Sequence, residues 1–130
     1  MFCNFVNAKD LTGTKLLCYF DSYPDKHNNK GIEFLSETTG KFYEIDNFTD
    51  KFNWTLSIEE FPYKISPTKI HIYEKDPTRG DARIKFIIDR VTLKIGAFLC
   101  EILDKDINLE EEMQNYLTDS IKKQESLNKL

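Results

Sequence analysis

Apolar and polar positions alternate along most of this chain, and the clearest stretch is residues 82–103, ARIKFIIDRVTLKIGAFLCEIL. Ile84, Phe86 and Ile88 fall on one face of an extended segment. After the polar break Asp89-Arg90, the set Val91, Leu93 and Ile95 resumes the alternation. The pattern predicts two strands folded on each other as a long hairpin. Shorter runs of the same kind recur upstream: residues 2–6, 15–20, 31–36, 41–45, 52–58 and 69–74 each read as a strand. Between them lie turn signals, in the polar segment 21–30 (DSYPDKHNNK), in ETTG at 37–40 and in DPTRGD at 76–81. Pro62 and Pro67 bracket what reads as a connection, because a proline cannot donate to a sheet ladder and is confined to edges, strand starts and bulges.

The tail changes period. Leu109, Met113, Tyr116, Leu117, Ser120, Ile121 and Gln124 define one stripe at helical spacing, with Asn108 and Glu111 as an Asx form of the capping box. Glu110, Glu111 and Glu112 at the start and Lys122-Lys123 near the end match the helix dipole. A helix over 109–127 is therefore predicted. The fold class that follows is mainly β (α+β): an antiparallel meander of seven or eight strands within residues 2–103, forming a barrel or a strongly curved sheet, with one C-terminal amphipathic helix over it. Periodicity does not report closure, so barrel and sandwich both stay open.

The chain has 130 residues, of which 40% are apolar and 13% aromatic, enough for one core and one domain spanning 1–130. Charge adds an asymmetry. Residues 1–100 hold 14 acidic and 14 basic side chains and are balanced, while residues 101–130 hold eight acidic and four basic ones and carry the whole net charge of −4. An acidic end argues against nucleic acid and against anionic membranes, both of which want a basic face. Cys3, Cys18 and Cys100 are odd in number, widely spaced and without a CxxC pair, so buried reduced thiols are expected, with no disulfide framework and no zinc site. No leader pattern and no membrane-length apolar window is read, and the default expectation is a cytoplasmic protein.

Groups able to carry chemistry are scarce. His27 lies in the Asn-rich loop and His71 on the outward face of its strand. A ribonuclease-like acid–base pair is conceivable from them, but nothing else marks either as tuned. The sequence holds no nucleophile elbow, glycine-rich phosphate loop or calcium-loop cadence, so no cofactor and no metal is expected. Arg79-Gly80-Asp81 reads as a turn rather than an adhesion motif. The run Ile88–Thr92 resembles turns of many small bacterial and phage proteins, without specifying a family.

The leading expectation is thus a non-enzymatic module that docks on another protein, as an inhibitor, immunity or accessory factor. Phe61 and Tyr63 would be its loop anchors and Glu110, Glu111 and Glu112 its steering face. The alternative is a lipocalin-like barrel holding a small apolar ligand, which would need small or polar residues among the inward positions. The alternation instead offers the bulky set Ile84, Phe86, Ile88, Leu93 and Trp54. A small hydrolase or nuclease using His27 or His71 comes third.

Overall fold

In the computed structural model the described residues are 10–20, 29–46, 54–74 and 83–126. Eight strands precede one helix: β1 (Lys15–Phe20), β2 (Lys30–Phe34), β3 (Thr39–Asp46), β4 (Thr55–Ile65), β5 (Lys69–Tyr73), β6 (Ile84–Asp89), β7 (Lys94–Ile95), β8 (Phe98–Ile102) and α1 (Leu109–Ser126). Every pairing is antiparallel, and the strand order is β6-β5-β4-β3-β2-β1-β8-β7. The first strand therefore closes onto the last, through Leu16↔Ile102 to Phe20↔Phe98, and a nearly closed barrel-like sheet results. The expected strand at 2–6 lies outside the described residues, as do His27 and the Arg79–Asp81 turn.

Among the described residues, the seam of this barrel falls where the sequence pattern is clearest. β6 pairs with β5, and β7 with β8, so residues 84–95 are not a hairpin. Between β6 and β7 the chain turns at once: Asp89 Oδ1 accepts the amides of Val91 and Thr92 (2.8 and 3.1 Å), and Leu93 N–H closes onto the Asp89 carbonyl at 2.8 Å. Leu93 takes a left-handed φ of 58°, a conformation costly for a residue with a Cβ. Its side chain packs against the core, whereas Val91 projects from the turn into solvent. Alternation reports which side chains share a face and not which strands pair.

The sheet has two apolar faces. Inside, Leu16, Ile32, Phe34, Phe61, Tyr63, Ile70, Ile72 and Ile88 belong to one core cluster, together with Cys18 and Cys100. Those two cysteines are directly opposed across β1 and β8 and form a disulfide, correcting the expectation of reduced thiols. Eighty-two positions separate them, and only the closing strand pair brings them together. Outside, α1 lays the predicted stripe over β1 to β4: Leu109, Met113 and Leu117 pack on Leu17, Tyr43 and Ile45, flanked by Trp54, Leu56, Tyr116 and Ile121. Gly31 allows this approach, since a Cβ there would stand 3.1 Å from the Leu109 side chain. Asn108 caps the helix as expected, its Oδ1 accepting the Glu111 amide at 3.0 Å. The Lys15 ammonium holds the preceding connection by donating to the carbonyls of Lys105 and Ile107.

β4 is the second correction. Residues 55–65 form one continuous central strand, paired with β3 along Thr39↔Pro62 to Asp46↔Thr55, so Phe61 and Tyr63 are not in a connection. Pro62 is tolerated for a local reason. The Tyr63 amide donates to Thr38 of the hairpin leading into β3 (3.0 Å), and successive amides of a strand point to opposite sides. The missing N–H of Pro62 therefore falls on the β5 side, where pairing runs only from Tyr63↔Ile72 to Ile65↔Ile70. Gly40, expected in a turn, lies within β3 beneath the Phe61 ring; a Cβ there would come 2.5 Å from Phe61 Cζ.

Candidate binding site at the barrel mouth

Phe20, Lys30, Asp46, Thr55, Tyr73, Ile84, Ile95 and Phe98 begin or end their strands at the same end of the barrel, which we call the mouth. Successive residues of a strand face opposite sides, so the inward face can be followed upward from the core. On β2 it runs from Phe34 and Ile32 to Lys30; on β3, from Phe42 to Glu44; on β4, from Tyr63 and Phe61 to Glu59 and Ser57. The lower half of the barrel is thus filled with apolar side chains, and its mouth is lined with polar ones.

These polar groups are organised around aromatic rings. Lys30 forms an ion pair with its cross-strand neighbour Glu44, and its ammonium lies 5.1 Å from the centroid of Phe98, which stacks on Phe20 at 4.2 Å. Across the mouth, the Lys85 ammonium lies 5.3 Å from the Phe42 ring and 5.7 Å from the Phe86 ring, and 3.4 Å from Glu59 Oε2. Such placements are the geometry of cation–π attraction.

Lys85 reaches that position through a β-bulge. The β5–β6 register passes from Ile72↔Phe86 to Tyr73↔Ile84, leaving Lys85 as an extra residue on β6. Lys85 and Phe86 consequently both turn toward the barrel, and Ile84 is displaced to the outer surface, half exposed. The expectation that Ile84 shares an inward face with Phe86 and Ile88 fails for this reason. Trp54 is likewise absent from the barrel interior; it packs at the margin of the helix-covered face.

Where β4 and β5 part above the Tyr63↔Ile72 pair, a cavity of about 220 Å³ opens in the wall. Phe42, Phe61, Ile72 and Phe86 form its apolar sides, and Glu59, Glu60, Glu74 and Lys85 its polar rim. A second cavity of about 190 Å³ lies at the opposite end, between Leu11, Phe34, Ile70 and the turn carrying Arg90 and Leu93. Its Arg90 is already engaged, Nη1 donating to the Ser66 carbonyl at 2.7 Å.

The residues singled out from sequence are not brought together. Phe61 and Tyr63 are 4% and 2% exposed, so neither presents the surface that docking on a partner requires, although Phe61 helps wall the mouth cavity. The Tyr63 hydroxyl donates to the Ser36 carbonyl, and burial, with Asp10 and Glu37 nearby, pushes its pKa up to about 12. Tyr43, buried under α1 and hydrogen-bonded to Glu33 at 3.3 Å, is raised to about 12, first by burial and then by the Glu33 charge. Glu110 and Glu111 are exposed in the first turn of α1, with Glu112 half-buried beside Tyr116. His71 sits on the outer face of β5 between Lys64 and Ile87, as expected. No group of His, Cys, Asp and Glu among the described residues is arranged to hold a metal ion. No helix among them is long and apolar enough to cross a membrane.

The candidate site residues that sequence reasoning missed are Lys30, Glu44, Glu59 and Lys85. Lys30 and Glu44 stand on the inward face of strands read correctly, and continuing each alternation toward the strand end would have found them; Glu59 falls where the sequence reads as the start of a connection, so its inward face became visible only with the continuous β4. Lys85 carries no such signal, because a bulge leaves no mark in the periodicity. In comparisons with known protein families, curated proteins and solved structures, nothing matches this chain.

Proposed function

We propose that this protein is a non-enzymatic binding barrel that takes a small molecule at its mouth, in the cavity between β4, β5 and β6. One observation carries this reading: the inward positions change from apolar to polar toward one end, where an aromatic-walled cavity opens. That polar inward set is the feature the small-ligand alternative requires. The exposed lining of this cavity is more polar than apolar, which suits a small polar or charged molecule rather than an apolar one. At about 220 Å³ this one is below the common range for drug-sized ligands, so the occupant is small.

The test is a ¹⁵N-detected titration of the labelled protein with small amines, small carboxylates and neutral aromatics. At least one class should shift the amides of Phe42, Glu59, Lys85 and Phe86 in a saturable way. Shifts confined to other surfaces, or none at all, would refute the reading.

Docking on a protein remains a second reading, favoured by the exposed carboxylates of Asp104, Asp106, Glu110 and Glu111 at one end of α1. Such a patch speeds encounter with a basic partner in a salt-dependent way. Co-purification of a stoichiometric partner lost on reversing Glu110, Glu111 and Glu112 to Lys would promote it above ligand binding. The Cys18–Cys100 bond supports a location other than the expected cytoplasm. Disulfides persist mainly in oxidising compartments, and we place the working form of the chain in one. Acid-quenched alkylation in the native host should find both thiols blocked; free Cys18 and Cys100 would return the protein to a reducing compartment.

A further inference from the structure

From the arrangement at Lys85 we infer that the mouth cavity selects an organic cation, a small molecule with an ammonium group, and that Lys85 is a tethered occupant which this ligand displaces. The inference rests on the reading of the mouth as a ligand site and adds the chemical class. The rings of Phe42 and Phe86 stand 5.2 Å apart at 37° to each other, forming an open V. A cation facing both rings gains from both quadrupoles, and in this structure the cation so placed is the Lys85 ammonium. The rim around it holds three carboxylates, Glu59, Glu60 and Glu74, against the single charge of Lys85. An anion would enter against that excess, whereas a second cation would be attracted by it.

The bulge explains how the occupant can leave. Lys85 is the unpaired extra residue on β6, and among the described strands β6 is an edge bordering the seam, so its side chain can swing outward without breaking a ladder pair. Its ion pair with Glu59 is solvent-exposed and contributes at most about 1 kcal/mol. A ligand that supplies its own ammonium to the rings and to Glu59 replaces contacts of the same kind, and the methylene stem of Lys85 vacates the cavity. Lys30, over Phe98 and paired with Glu44, repeats the motif across the mouth but is the less exposed of the two lysines and sits on a central strand.

The experiment is calorimetric titration of wild type, Lys85→Met, Lys85→Met/Glu59→Gln and Lys85→Met/Phe86→Leu with choline, with a capped lysine amide and with butyrate. Lys85→Met removes the tethered ammonium and keeps most of the stem. Choline should bind it about tenfold more tightly than wild type, the scale of one cation–π contact. Removing the Glu59 charge or the Phe86 ring should reverse that gain, and raising the salt concentration should weaken binding. Tighter binding of the capped lysine than of choline would make the natural cation a side chain of a partner, with the same chemistry. Thermal melts confirm that each variant is folded before it is scored. Lys85→Met binding choline no better than wild type would overturn the inference. So would butyrate binding wild type and being lost in Lys85→Met, in which case Lys85 anchors an anion and the mouth remains a ligand site.

Discussion

The Cys18–Cys100 bond offers the sharpest test of the closure between the first and last strands. It joins residues 82 positions apart, and the intervening chain contains every strand from β2 to β7. In the chain-entropy account a cross-link stabilises by restricting the unfolded ensemble, and a loop of this length corresponds to about 4.5 kcal/mol at 25 °C. Native cross-links typically deliver about 2–4 kcal/mol, so reduction should cost between about 2 and 4.5 kcal/mol. For a domain of this size, that is a fall in Tm of roughly 6 to 20 °C. Both sulfurs are buried, so the reduced form is made by unfolding in urea with reductant and refolding, and is then compared with the oxidised form by calorimetry. Comparing two redox forms of one sequence keeps both sulfurs in place, so packing changes little. Thiol titration in urea provides the control: the chain has three cysteines, and the oxidised protein should expose one thiol, rising to three on reduction. Three thiols before reduction would show that the barrel closes without a covalent link, and a Tm change of less than about 2 °C would show that the link contributes little to the closure.

Leu117→Asp puts a carboxylate into the apolar layer beneath α1, and urea unfolding should show a loss of about 3 kcal/mol or more; an unchanged midpoint would mean the helix is not packed on the sheet. Gly40→Ala forces a Cβ against Phe61 Cζ at 2.5 Å and against the Glu33 carbonyl oxygen at 2.8 Å, and should cost about 1–3 kcal/mol. Adding Phe61→Leu should recover only part of that loss, since the carbonyl cannot move out of the ladder. Asp89 is held down to about 2, by the Lys69 hydrogen bond first and then by the Thr92 and Val91 amides. Its folded value lies below its unfolded one, so its contribution is complete above about pH 4 and is lost as pH falls toward 2. Urea midpoints measured from pH 5 to 2 should fall less steeply in Asp89→Asn. Tyr43 and Tyr63 act in the opposite direction. Their hydroxyls are raised to about 12, so stability should be complete below pH 10 and lost from there toward 12; a phenolate signal at pH 10 in the folded protein that is lost in Tyr43→Phe or Tyr63→Phe would contradict their burial.

Local pattern by itself determined a good deal of this protein. The period-two alternation located β1, β2, β3 and β5 closely, and the period-3.6 stripe from Leu109 to Ile121 identified both the helix and its buried face. These are short-range properties, since a residue's neighbours two or four positions away fix which side it faces. Tertiary structure decided everything that depends on which strands meet. Cys18 faces Cys100 only because the first strand pairs with the last. Residues 84–95 flank the seam rather than form a hairpin, because β6 is committed to β5 and β7 to β8. Phe61 and Tyr63 are core rather than anchors, because the donor that Pro62 lacks points to the side where β5 has not yet joined. The mouth shows the same division. Lys30 and Glu44 lie on alternations legible in the sequence, whereas Glu59 needed β4 to continue through what read as a connection, and the convergence of all three requires the sheet to curl. Lys85 required a bulge, one extra residue opposite Tyr73 and Ile72, which inverts a side chain without altering the composition or the spacing of apolar residues.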